Sequence, residues 1–590
     1  MTELRTNDRG DVEVRAPAYR LDVAASGMVA RLSSAEGVQW AALRPLAALD
    51  AVDGPDETLS TRAPQIVGDG IVEVERSSSR WARASTRFVC TDDAIEVVSS
   101  VAGRGQLTDV HLLAARSTIP GAPTGFMPSG TAFRTLFSPN PGDPGRLVRP
   151  AAESAVVGVS GDGQPGRGHW FFTPAPLSLW LTTAEPEGPS SVDEGWVGFS
   201  LAAPVEQLTF VQLAYVAGDR AFSLSLEYEG HTAVDGEFAT PSLLITPGAA
   251  DPYEGLRRHR RDLVARGAAP PVESRQTPEW WSQPIFCGWG AQCRLASRNG
   301  TQSAALATQA NYDDFLAQLE AHDLVPGTVV VDDKWQAAYG TNEPDPRKWP
   351  DLRAWIDARH ERGQHVLLWW KAWDPEGVPP ELCVRNAAGE PVALDPTNPQ
   401  TRELLRGMFG RLLGRDGFDA DGLKVDFTAR TPSGFALGAN GAGWGIALLH
   451  ELLAIVYAVA KDAKADALVI THTPHPAFVD VTDMIRLNDM LRLDDPAPFP
   501  PIVPQMRYRA AVVQAACPEL LIDTDDWSAP SLAEWRRYLE VKPQLGIPAL
   551  YYADGLDFTG EEFDVEDYGA LRDAWSQWRR RRESEVRRTT

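Results

Sequence analysis

The sequence predicts a multidomain chain, an N-terminal antiparallel β-sandwich followed by a (β/α)8 TIM barrel. Three features point there. The chain has 590 residues, more than a single hydrophobic core usually organises. Up to about residue 245 it runs in short alternating segments with no long helical period. From about residue 276 short apolar strands alternate with amphipathic helices, and those strands end on polar residues.

The first part contains segments such as "YRLDVAA", "GIVEVERS", "AIEVVSSVA" and "LTFVQLAYVAG", separated by Gly, Pro, Asp and Ser clusters. Many short strands with regular turn signals predict an antiparallel sandwich over residues 1–250. "DPYEGLRRHRRDLVARG" predicts a helix from near Asp251 to Gly267, and the Pro-punctuated "AAPPVESRQTP" follows, so 251–275 reads as a helical linker.

Residues 276–590 supply eight strand candidates: "IFCGWG", "GTVVVDD", "HVLLWWK", "GLKVDF", "ALVITHT", "MIRLND", "LLIDTDD" and "IPALYYAD". Helical stretches lie between them, among them "DLRAWIDARHERG", where Leu352, Trp355 and Ile356 share a stripe. Eight strand–helix units in this length suit a barrel. An open doubly wound sheet would need a Gly-rich phosphate turn after its first strand, and "CGWGAQCRL" lacks one.

Composition narrows the function classes. A formal net charge of −24 argues against nucleic-acid and anionic-membrane partners, and no apolar run has the length of a membrane span. The start, "MTELRTNDRGD", is too polar for a secretory signal. The five scattered cysteines fit a reducing compartment, so a cytoplasmic location is expected. Nineteen tryptophans provide faces on which sugars stack.

Strand ends carry the chemistry, because the carboxyl ends of barrel strands build the active site. Here they present Asp332–Asp333, Trp369–Trp370–Lys371, Lys424 with Asp426, His472, Asn488–Asp489, Asp523 with Asp525, and Asp554. In "GLKVDF" the side chains alternate, so Lys424 and Asp426 share the face opposite Leu423, Val425 and Phe427. A lone Lys-x-Asp would read as a buried salt bridge. Among six other polar strand ends it reads as a catalytic carboxylate kept ionised by its lysine. Glycoside cleavage needs a second, protonated carboxyl across the scissile bond; candidates are Asp489, Asp494, Asp495, Asp523, Asp525 and Asp526. Asp489 ends the sixth strand beside Arg486, whose charge would oppose its protonation.

With these motifs in view, the barrel resembles the melibiase-type α-galactosidases and their raffinose-synthase relatives, α-retaining glycoside hydrolases with a (β/α)8 barrel. "VVVDDKW" resembles the family's Asp-Asp-Gly-Trp strand end, "LLWWKAWDPEGVPPEL" its Trp-x-x-Pro-Glu region, "GLKVDF" its Lys-x-Asp nucleophile strand and "RLNDMLRLDD" its acid/base segment. The resemblance implies a retaining α-glycosidase with Asp426 as nucleophile and Asp489 as acid/base. It implies Asp332, Asp333 and Lys424 as sugar ligands; the strand-end residues themselves add Lys371, His472 and Arg486 as expected sugar contacts, with Trp335, Trp369 and Trp373 as walls. It implies a small carbohydrate as partner, with no metal and no organic cofactor, and leaves homo-oligomerisation open. The sequence departs from the family at Lys334, in place of glycine, and in "THTPHP", in place of a Cys/Ser-Gly-Gly stretch. His472 and His475 of that segment also admit a metal-dependent hydrolase, and a sugar-binding protein without turnover is a third reading.

Overall fold

The computed structural model describes residues 1–116, 133–140, 155–160, 172–184, 195–218, 221–271, 277–490 and 501–589. Asp494 and Asp495 lie outside them, as does part of the segment after Gly267.

The N-terminal part is a β-sandwich. A five-stranded antiparallel sheet spans Glu3–Thr6 to Gln39–Leu43, and a larger antiparallel sheet includes the long strands Ile95–Leu112 and Ala221–Ala239. Those two pair from Ser100↔Ala239 to Leu112↔Leu224. Alternation sets the core: Val12, Val14, Tyr19, Leu21 and Val23 are buried while their neighbours are not.

The rest is the barrel. Its strands are β1 (Ile285–Cys287), β2 (Thr328–Val331), β3 (His365–Lys371), β4 (Gly422–Asp426), β5 (Leu468–Thr471), β6 (Met484–Arg486), β7 (Leu521–Asp523) and β8 (Ala549–Leu550). All neighbouring pairs are parallel, with β8 beside β1. The ring closes between β7 and β8, where Ile547 N–H donates to Ile522 O at 2.8 Å and Thr524 N–H to Ile547 O at 3.1 Å.

Helix α1 is Pro252–Ala265, capped by the Asp251 carboxylate, which accepts from Glu254 N. Barrel helices follow: α2 (Trp289–Asn299), α3 (Gln309–Glu320), α4 (Leu352–His360), α5 (Pro399–Leu413), α6 (Gly445–Ala463), α7 (Ile502–Ala516), α8 (Leu532–Leu545) and α9 (Val565–Thr589). One expectation needs correction. Between β5 and β6 there is no α-helix, only a 3-10 turn at Pro476–Phe478, because prolines at 474 and 476 punctuate a short connection. Helix α1 packs against α7 and this turn; Arg260 donates to Pro476 O at 3.0 Å and pairs with Glu519.

The sandwich is also joined to the barrel at α6. Ile446 N–H donates to Phe210 O at 3.0 Å and Ala447 N–H to Leu208 O at 2.9 Å, so carbonyls of the segment leading into a sandwich strand satisfy amides that a helix start leaves open. A Cβ on Gly445, at φ +59°, would lie 2.1 Å from Phe210 O; only glycine permits that approach. Glu229 accepts from Ser433 Oγ, Gly434 N and Trp444 Nε1 at 2.7, 2.8 and 3.1 Å, tying down the loop between β4 and α6.

Two arginines of α9 tie it to the rest of the barrel. Arg572 donates to His322 O, and Arg581 to Pro543 O and Gln544 O, satisfying carbonyls just past α3 and near the end of α8.

Candidate active site

A cavity of about 240 Å³ opens at the carboxyl ends of the barrel strands. Its lining includes Asp332, Asp333, Trp369, Lys424, Asp426, His472, Arg486 and Asp489, together with Trp289, Phe427, Asn488, Trp527 and Tyr551. Strand ends β1 to β8 thus converge on one space, as the barrel geometry dictates.

Strand β4 delivers Lys424 and Asp426 on its inward face. Lys424 is buried, and its ammonium lies 2.6 Å from Asp332 Oδ2 and 3.5 Å from Cys287 Sγ. Burial pulls the lysine down, but Asp332 outweighs it and holds the ammonium charged. Asp332 also accepts from the Cys287 thiol at 3.0 Å. Cys287 and Cys293 are both free thiols.

Asp426 is 21% exposed at its side chain and faces the cavity. Trp369 Nε1 donates to it at 3.0 Å, the Phe427 amide at 2.9 Å and Arg486 Nη2 at 3.1 Å. Burial alone would raise its pKa. Arg486 first, then Lys424 and His472, with the Trp369 bond, bring it well below the usual carboxylate range. Asp426 is therefore ionised; its own-strand lysine contributes to this as the sequence suggests, although the lysine's direct partner is Asp332 and Arg486 is the larger cause.

Arg486 ends β6 and is itself buried. Its Nη1 contacts Asp489 Oδ1 at 2.9 Å and Asp525 Oδ2 at 2.5 Å, while Nη2 serves Asp426. Because the two terminal nitrogens of a planar guanidinium are roughly 2.3 Å apart, the bridged oxygens of Asp426 and Asp489 are no more than about 8 Å apart. Expected as a sugar ligand, Arg486 is engaged chiefly by carboxylates. Asp489 is 18% exposed at its side chain. Its backbone is fixed by Arg509, which donates to Leu487 O, Asn488 O and Asp489 O at 2.8, 2.8 and 2.7 Å. Asn488, at φ +69°, turns the chain there.

Of the other described acid candidates, none lines the cavity. Asp526 is fully buried and taken by Lys542 at 2.9 Å, Trp535 Nε1 at 3.0 Å and Tyr551 N at 2.8 Å. Asp525 is held by Arg486, and Asp523 accepts from the Asp525 amide at 2.9 Å. Asp333 does reach the cavity. Burial pushes its carboxyl up to about 6, against the bond from Tyr339 Oη at 2.9 Å.

Three expected sugar contacts are not brought to the cavity. Trp335 is fully buried and donates to Trp369 O at 2.8 Å, so it braces the wall instead of forming it. Trp373, also buried, lies beyond the end of β3 at φ +72°. Lys371 pairs with Asp374 at 2.8 Å and sits 4.0 Å from the Tyr339 ring centroid.

The sequence reading missed Trp527 and Tyr551. Trp527 packs edge-on to Trp289 at 5.8 Å between ring centroids. Tyr551 follows directly on the last residue of β8 and Trp527 stands four residues past β7; a place just beyond a strand's carboxyl end is the signal that finds them. His475 does not reach the cavity: buried, it accepts from Ala477 N at 3.1 Å. Among the described residues the one cluster spaced for a metal is Asp357, His360 and Asp419, away from the cavity. Arg353 and Lys464 neutralise its carboxylates.

No family model and no curated protein matches the chain. Solved structures do resemble it in fold. An α-galactosidase from Thermus thermophilus with p-nitrophenyl α-D-galactopyranoside aligns at TM-score 0.51 and 15% identity, over 82% of this chain and 93% of that one. A GH31-family sulfoquinovosidase from E. rectale with an aza-sugar inhibitor aligns at 0.56 and 11%, over 98% and 82%. A cycloalternan-forming enzyme from Listeria monocytogenes aligns at 0.52 and 9%, over 96% and 56%. At such identities the likeness is one of fold. No described helix is long and apolar enough to cross a membrane.

Proposed function

We propose that the chain is a retaining α-glycosidase that removes a terminal α-linked sugar, with an α-galactoside as the first substrate to test. One observation carries this reading: Asp426, at the end of β4, and Asp489, in the turn after β6, face one small cavity with Arg486 bridging them. The bound of about 8 Å on their separation fits a carboxylate pair flanking a glycosidic bond.

In the first half of the reaction Asp426, ionised, attacks the anomeric carbon, and the leaving oxygen departs with a proton from Asp489, which the charge of Asp426 has to keep protonated against the pull of Arg486. In the second half Asp489 removes a proton from water as that water displaces Asp426, which leaves as carboxylate. The depressed pKa of Asp426 supports its role as nucleophile. A cavity at the small end of ligand pockets suits one sugar ring, which favours exo-action. Lys424, Asp332, Asp333 and His472 are placed to orient ring hydroxyls, and Trp289, Trp369 and Trp527 to wall them in.

Known activities of the structural neighbours cover an α-galactosidase, a sulfoquinovosidase and a cycloalternan-forming enzyme. They support an α-glycosidase and leave another sugar, or transfer to a sugar acceptor, as the second reading. Turnover of a panel of aryl α- and β-glycosides by the purified protein tests the class. Proton NMR of the first-formed sugar tests the stereochemistry, since an inverting enzyme releases the opposite anomer. Asp426→Asn should lower kcat by several orders of magnitude with the fold intact; near-normal activity in that variant would overturn the assignment.

A further inference from the structure

Tyr551 is a cavity residue that the mechanism leaves unused. It follows directly on β8 and is 1% exposed, yet it lines the cavity. Among the described residues no group hydrogen-bonds its hydroxyl. A buried hydroxyl without a partner costs about 1–3 kcal/mol, and a phenylalanine would fill the same space without that cost.

The ring has little freedom to turn elsewhere. Its backbone N–H donates to Asp526 Oδ1 at 2.8 Å, and Asp526 is itself locked by Lys542 and Trp535. Its carbonyl accepts from Ala291 N at 2.7 Å, at the start of α2. Helix α2 approaches so closely that a Cβ on Gly290 would lie 2.5 Å from that carbonyl. The Lys424 ammonium stands 5.1 Å from the centre of the Tyr551 ring. Burial, with Asp525, Cys287 and Asp523 nearby, pushes the phenol well above its ordinary pKa. It therefore stays un-ionised and can both donate and accept.

We propose that Tyr551 is a substrate-binding residue, its phenol hydrogen-bonding one uncharged hydroxyl of the sugar ring beside Lys424. The inference rests on the glycosidase reading and extends it: the enzyme selects a fully hydroxylated ring at that position and discriminates against the matching deoxy sugar. A site built to bond a hydroxyl penalises an analogue that lacks it, because its own polar group is then left unpaired.

The test compares the wild type and Tyr551→Phe on the p-nitrophenyl glycoside the wild type turns over best and on its monodeoxy analogues, with melting temperatures measured for both proteins. Tyr551→Phe should lower kcat/KM on the parent glycoside by about 10- to 100-fold without lowering the melting temperature. One deoxy analogue should be turned over equally well by both proteins. Equal kcat/KM on the parent, or the same fold-loss on every analogue, overturns the inference while the glycosidase reading stands. A lower melting temperature with that uniform loss assigns the hydroxyl a structural role and overturns it too. If the wild type turns over no glycoside, the glycosidase reading fails and the inference falls with it.

Discussion

Replacing Arg486 tests the electrostatics of the site most directly. Its guanidinium is the largest influence opposing burial at Asp426, and it also holds Asp489 and Asp525. With charge centres roughly 4 Å apart and an effective dielectric of about 20, one such contact is worth about 4 kcal/mol, or about 3 pH units. Lys424 and His472 stay in place and water enters the gap, so we expect about 1–2 pH units to be realised. The sign follows from Asp426 having to be ionised to attack. Its pKa is depressed, so the wild type keeps an active nucleophile as pH falls well below the usual carboxylate range. In Arg486→Met that pKa rises, and the acidic limb of kcat/KM moves to higher pH.

Folding will suffer as well, since removing the cation from a buried pair costs about 3–5 kcal/mol and Asp525 is fully buried. Arg486→Lys keeps the charge and loses the fork that spans two carboxylates, so it should fold better and move the limb less. The assay is kcat/KM against pH on an aryl glycoside, with melting curves at each pH to separate unfolding from titration. An acidic limb unmoved in both variants, with activity retained, would refute the bridge as the control on Asp426.

The other predictions concern single groups. Asp489→Ala should lose least activity on substrates with good leaving groups, and azide should restore part of it as an α-glycosyl azide, identified by mass spectrometry and NMR. Asp333 changes charge at about pH 6, so kcat/KM of the wild type should rise through an inflection there as the carboxylate forms; Asp333→Asn should abolish that inflection in the same pH series. Glu229→Ala strands three donors in the loop after β4, and should cost about 2 kcal/mol, seen as faster proteolysis within residues 428–444. At the base of β4, Asp421 accepts from His360, Lys464 and the Val366 amide at 2.8, 2.7 and 2.8 Å, and its pKa is strongly depressed despite burial. Its contribution to stability is present above the unfolded carboxylate pKa and lost as pH falls. Asp421→Asn should therefore lower the melting temperature at pH 7 and narrow its gap from the wild type toward pH 3.

How much of this was legible follows from the range of the interactions involved. Local periodicity placed all eight barrel strands, and β3 coincides with the predicted segment to the residue. The alternation that put Lys424 and Asp426 on one face held because both lie inside β4. It stopped being a guide past a strand end. Trp335 stands four residues beyond β2 and Trp373 two beyond β3, where period two no longer applies, and both turn away from the cavity. The six acid candidates were indistinguishable for the same reason: Asp489 and Asp526 each follow a strand within three residues. What separates them is a cation from elsewhere in the chain. Lys542, on α8, withdraws Asp526 into the wall, whereas Arg486 and the carbonyl grip of Arg509, on α7, hold Asp489 at the rim. Such choices are made by charges that meet only after the ring has closed, so a sequence shows which residues can do the chemistry and the fold decides which ones face it.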